Sequence, residues 1–184
     1  MSRLQPEFTL LGDAVWLDFV NTARGRVHSP PDLLSDLSAL ARWARAQSLE
    51  WDERYAPSLD EALMFRERLT FLAEALHSDE QPPTGSITAI NEQLSRHGGH
   101  HQLTRVSGEW QLRFAPVQRP TLLLAIAASA AEVLSHPLLL VRRCAGESCS
   151  LFFTDDSPNE RRRWCSSAIC GRQVRIERRR GLLR

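Results

Sequence analysis

No lysine occurs among the 184 residues, so every fixed side-chain cation is one of 23 arginines. A coding bias suffices to explain that absence, and it is not read as function. No basic segment followed by an apolar run opens the chain, so no secretory signal is visible. The longest apolar stretch, Thr121 to Leu134, falls short of the roughly 20 residues of a membrane span and carries Glu132. The expectation is a cytoplasmic protein with no membrane partner. There is no G-x-S-x-G, no phosphate-cradling glycine loop, no H-E-x-x-H and no internal repeat, so nothing argues for an enzyme. Cysteine is scarce too: there are four, and all of them fall between Cys144 and Cys170.

What is present suits one globular domain, or a domain with a small appendage, since 42% hydrophobic content can supply a core. The net charge of +1 conceals an asymmetry. Residues 1 to 141 carry 12 Arg against 17 acids, a net of −5, while residues 142 to 184 carry 11 Arg against 5 acids, a net of +6. An acidic body is joined to a basic tail.

Helical spacing dominates the body. After the apolar stretch Ala14 to Ala23 and the break at 24–31, Leu33, Leu37, Leu40, Ala41 and Ala44 predict a helix from Asp32 to Leu49, with Pro31 at its first turn. Further helices are expected from Ser58 to His77, from Ile87 to His97 and from Thr121 to Ser135. Two extended runs flank Ser107-Gly108 and predict a β-hairpin, with Leu103, Val106, Trp110, Leu112 and Phe114 in imperfect alternation. Leu138 to Cys144 reads as a strand leading into the first cysteine pair, and Gly171 to Arg180 as a short helix.

The cysteines are spaced C-x4-C, fifteen residues, C-x4-C. In a reducing compartment such paired turns point to metal rather than disulfides. Cys144, Cys149, Cys165 and Cys170 are the expected ligands of one structural zinc ion, because four thiolates close a tetrahedron and leave no open catalytic position. An iron–sulfur cluster is the lesser alternative. A helix beginning at Gly171 would set the Cys170 thiolate at a helix N-terminus, and Arg142, Arg143 and Arg163 are close enough in sequence to offset the charge of the site. Phe152, Phe153 and Trp164 are expected to form a miniature core around it.

Around these cysteines lie Arg161, Arg162 and Arg163 in a run, then Arg172, Arg175 and Arg179 at i, i+3, i+7, with Arg178, Arg180 and Arg184 extending the patch. Guanidinium forks suit phosphate, and the cluster reads as a nucleic-acid surface. Docking of the basic tail on the acidic body is the competing reading. Asp18, Asn21 and Thr22 sit inside an apolar segment, where they either satisfy backbone groups or, with Arg66 and Asn91, wall a pocket for a small-molecule effector.

Phe153, Asp155, Ser157, Asn159, Arg162, Arg163, Trp164, Cys165, Cys170 and Gly171 resemble the C-terminal zinc finger named CGNR after a Cys-Gly-Asn-Arg tetrad. Leu17 to Thr22 (LDFVNT), Asp32 to Leu34 and Trp43 resemble the ABATE domain that precedes that finger. The resemblance implies a stress-induced transcription regulator. Its fold would be mainly α, with a helical N-terminal domain (1–137) carrying one β-hairpin. A small zinc-ribbon or treble-clef-like finger of short strands plus a helix would follow (138–184). DNA, or RNA, is the implied partner, and a homodimer is admitted. The alternative is a ligand-sensing or protein-interaction module in which the finger is only a brace or dimerisation element. One departure stands out: Arg172 and Gln173 replace the tetrad's Asn and Arg, which leaves ligation untouched but removes whatever contacts those two made.

Overall fold

The computed structural model describes residues 7–23, 32–96, 98–116 and 121–181. The break at 24–31, with Pro31, lies outside them, as does Arg184. Among the described residues six α-helices carry the body and tail: α1 (Val15–Val20), α2 (Leu37–Ala46), α3 (Leu59–His77), α4 (Thr84–Ser95), α5 (Leu122–Ser135) and α6 (Arg172–Arg179). Two antiparallel hairpins interrupt them: β1 (Gly99–Val106) with β2 (Glu109–Pro116), and β3 (Leu140–Arg143) with β4 (Phe152–Asp155). The mainly helical body followed by short strands and a helix is the fold class that the sequence leads one to expect.

The helix starts follow from capping side chains. Ser58 Oγ accepts the Glu61 N–H at 3.1 Å, and Thr121 Oγ1 accepts the Leu124 N–H at 3.2 Å, so α3 and α5 begin where expected. Two helices differ. α2 begins at Leu37 rather than Asp32, because Asp36 takes the capping role through the Ala39 N–H at 2.7 Å, while Asp32 closes a turn with the Leu34 N–H at 2.9 Å. Leu37, expected inward, is exposed as a result, and Leu34 is buried instead. α4 starts three residues early, as the Pro83 carbonyl accepts the N–H groups of Ser86 and Ile87. Between β1 and β2, Ser107 and Gly108 both have positive φ (51° and 91°), the left-handed pair that a tight two-residue hairpin requires.

The main core packs α1 against α3 and α5, with Trp16, Leu17 and Phe19 fully enclosed. It does not stop at the end of the helices. Val141 and Phe152, from the second hairpin, belong to this core, and the Phe152 ring meets that of His77 edge-on at 6.2 Å. The neighbouring residue Phe153 points the other way, into a second cluster with Leu151 and the four cysteines, against which Leu11 and Trp164 pack. Successive strand residues face opposite sides, so β4 divides its two phenylalanines between two cores. The expectation that Phe152 belongs to the finger's own miniature core is corrected by that alternation.

The outer edge of β4 is closed by the body. The Asn21 amide donates to the Phe152 carbonyl at 2.8 Å and its side-chain oxygen accepts the Phe152 N–H at 2.8 Å, imitating a paired strand. Two residues on, the Thr154 N–H donates to the Gly12 carbonyl at 3.0 Å. Asn21→Ala leaves the buried Phe152 N–H and carbonyl without these partners. We expect it to destabilise the protein by about 2–3 kcal/mol, measured by urea unfolding with zinc content determined in parallel.

Candidate metal centre and arginine face

Each cysteine pair is placed by its own turn. Cys144 ends the β3 side and its N–H donates to the Leu151 carbonyl at 2.9 Å, while the Cys149 N–H returns to Gly146 at 2.9 Å. The second pair is positioned by the segment 161–166 and a single turn of π-helix, Ser167–Gly171, that runs directly into α6. Ser166 Oγ caps that turn by accepting the Ile169 N–H at 3.3 Å. Cys170 therefore lies within the first helical turn rather than ahead of a helix begun at Gly171. Gly171 has a packing role: a Cβ there would stand 3.2 Å from the Trp164 ring and 3.3 Å from the Arg175 guanidinium.

All four Sγ atoms lie within 4.8 Å of one another and all four cysteines are buried. Cys149 and Cys165 are 3.8 Å apart at sulfur, and Cys165 and Cys170 are 3.7 Å apart. A tetrahedral zinc with sulfur at roughly 2.3 Å requires sulfurs about 3.8 Å from each other, whereas a disulfide needs about 2.05 Å. The donor set fits one zinc ion. Electrostatics agree, since hydrogen bonds from Cys149 and then Cys165 pull the Cys144 thiol down to about 2, and the bond to Cys144 pushes Cys149 up to about 12. Cys165 is likewise pushed up by Cys144 and Cys149. A bound cation favours the ionised form of each thiol, as ligation requires. The Cys165 N–H approaches the Cys144 sulfur at 3.4 Å, a backbone donor suited to a thiolate. Zinc supplies a fixed tetrahedral crosslink there, and the protein supplies its ligands and their orientation.

The loop between the pairs is organised by Asp155, which is fully buried. Its carboxylate accepts from Arg142 Nε at 2.7 Å, from the Ser157 N–H and hydroxyl at 3.0 and 2.5 Å, and from the Arg162 N–H at 3.1 Å. Burial pushes this carboxyl up, but the hydrogen bonds from Ser157, Arg142 and Arg162 outweigh it and hold the group below the usual carboxylate range. Arg142 is thus occupied by Asp155 and the Glu160 carbonyl at 2.6 Å, and does not offset the thiolate charge as its place in the sequence suggests.

Residues 13–137 match the ABATE family, described as "Putative stress-induced transcription regulator", and residues 141–181 match the CGNR zinc finger. The chain belongs to the ABATE family. No curated protein matches it. In this ABATE chain the finger and the body share β4, the strand whose two faces serve the two cores.

The expected arginines divide into two groups. Arg161, Arg163, Arg172, Arg175, Arg178 and Arg179 are exposed, and among the described residues none of them forms an ion pair with an acid of the body. Arg162 is the exception. It donates to the carbonyls of Trp164 (3.1 Å), Thr154 (3.2 Å) and Cys165 (2.6 Å) and to Asp13 of the body (2.5 Å), and it lies 4.6 Å above the Phe153 ring. It is a tie between body, strand and second cysteine pair, and not part of the open face. Of the two tetrad replacements, Arg172 is exposed while Gln173 donates to Glu177 at 2.9 Å and to Ser148 at 3.3 Å.

The five residues considered as a pocket wall divide between internal partners and solvent. Asp18 accepts the Gly12 N–H at 2.7 Å and Gln47 Nε2 at 2.9 Å, and burial pushes its carboxyl upward. Thr22 donates to the Phe19 carbonyl at 2.6 Å and accepts from Arg66, which also pairs with Asp32 at 2.5 and 2.9 Å. Asn21 is the clamp on β4, and Asn91 stands exposed on α4 with no hydrogen bond to the other four. Four of these polar groups are held by internal partners, as buried polar groups generally are. No described helix is long and apolar enough to cross a membrane.

Proposed function

We propose that this chain is a transcription regulator that grips duplex DNA through the arginine face of its zinc finger. The observation that carries the reading is the set of six exposed guanidinium groups, Arg161, Arg163, Arg172, Arg175, Arg178 and Arg179, held on a scaffold fixed by the cysteine centre. Arginine donates planar, two-pronged hydrogen bonds to phosphate oxygens, and a tail in which 11 Arg outnumber 5 acids over residues 142–184 is the footprint such contacts require. The family description points in the same direction. The reading gives the chain a binding role and no catalysis.

Fluorescence anisotropy on labelled duplex DNA over a salt series tests it. Full use of six arginines gives a log–log slope of up to about −5, and Arg161→Gln with Arg163→Gln makes the slope shallower by about 2 with zinc content unchanged. Absence of binding at low salt, or a slope the double variant does not move, defeats the reading. Tighter binding to single-stranded RNA than to duplex DNA redirects it.

A further inference from the structure

The β1–β2 hairpin is amphipathic in an inverted sense. Cross-strand register places His101 opposite Phe114, Leu103 opposite Leu112 and Arg105 opposite Trp110, so these six share one face. On that face Leu103 is 67% exposed, Leu112 67%, Trp110 68% and Phe114 48%. The half-buried positions Thr104, Val106, Gln111 and Ala115 all fall on the other face, which otherwise holds His100, Gln102, Glu109 and Arg113. His100, Gln102, Glu109 and Arg113 are exposed as well, so the large apolar side chains lie on one face of a ribbon that meets solvent on both. Val106, grouped with Leu103 by its sequence, lies on the opposite side.

We propose that this face is the interface of a homodimer, two hairpins packing face to face about a two-fold axis. The four side chains expose roughly 500 Å² of apolar surface, near the upper limit for a monomer. Complete burial of these residues in two copies removes about 1,000 Å² from water, the lower bound for a biological interface and the range of a weak, concentration-dependent one. A two-stranded ribbon needs a cover to be stable in water, and the partner present whenever the chain is made is another copy of itself. The polar groups on the face favour a second copy over an acidic partner. Arg105 lies over the Trp110 ring at 5.9 Å and His101 meets Phe114 edge-on at 5.7 Å, so both side chains lie against aromatic rings of the ribbon and the surface on offer is mainly apolar.

The test is light scattering on the purified zinc-loaded protein over a dilution series. The wild type has twice the mass of one chain, and Leu103→Lys with Leu112→Lys halves it while zinc content and the helical circular-dichroism signal stay unchanged. A photo-crosslinking residue placed at Leu112 gives hairpin-to-hairpin products between copies, a readout that survives even if the double variant fails to fold. A monomeric wild type overturns the proposal. So does a dimer that persists in a folded double variant, or crosslinks that map between copies to another surface.

Discussion

Stripping the metal from the finger is expected to lower the stability of the helical body as well as that of the finger. Binding of zinc to a four-thiolate site is worth about 10–16 kcal/mol in small domains, comparable to the whole stability of an ordinary one. The second cluster consists of little more than Leu151, Phe153 and the cysteines, so without the ion it has nothing to hold Cys144, Cys149, Cys165 and Cys170 at their spacing. Loss of that spacing releases β4, and β4 carries Phe152 into the body's core beside His77. Calorimetry with and without a chelator checks the expectation, with Cys165→Ser as the genetic equivalent. The main unfolding transition moves down by well over 10 °C, since about 1 kcal/mol corresponds to roughly 2–4 °C in a chain of this size. A body transition that stays in place while the zinc is lost means the two cores are energetically independent, contrary to the shared strand.

Arg162→Ala is expected to act almost as severely, and through stability rather than recognition. The substitution leaves the carbonyls of Thr154, Trp164 and Cys165 without their donor and removes the Asp13 pairing. Several acceptors close to a core lose a charged partner at once, a change that costs about 3–5 kcal/mol where the partner is buried and less here because the side chain is a quarter exposed. The expected loss is about 2–4 kcal/mol in urea unfolding, accompanied by weaker zinc retention. Lysine does not rescue it, because one ammonium cannot reproduce a fork that reaches three carbonyls and a carboxylate. By contrast, Arg161→Ala and Arg163→Ala should each fall within about 0.5 kcal/mol of wild type. If Arg162→Ala unfolds at the wild-type urea concentration, the tie assigned to it does not exist.

That contrast also marks how far the sequence could be read. Cysteine spacing was legible because the chemistry of a tetrahedral site leaves few other uses for two close pairs of thiols. Helix existence was legible from spacing, and capping residues such as Ser58 and Thr121 located their starts. What sequence proximity could not separate were immediate neighbours. Arg161, Arg162 and Arg163 look alike in a run, yet the middle one turns inward and the outer two face solvent. Strand alternation separates Phe152 from Phe153. Asp18, Asn21 and Thr22 stood out as polar groups among apolar ones, but beside near partners such as Phe19 and Gly12 they take distant ones, Asn21 and Phe152 being 131 positions apart. No local pattern encodes such a pairing.

The Asn21 clamp bears on what can be inherited or transplanted. A finger cut from this chain and grafted to a foreign protein would bring Phe152 without its socket and a strand edge without its amide. Its smallest portable form therefore includes a copy of α1 and the residues that follow it, and recombination that separates the two pieces should yield insoluble products even when all four cysteines are retained.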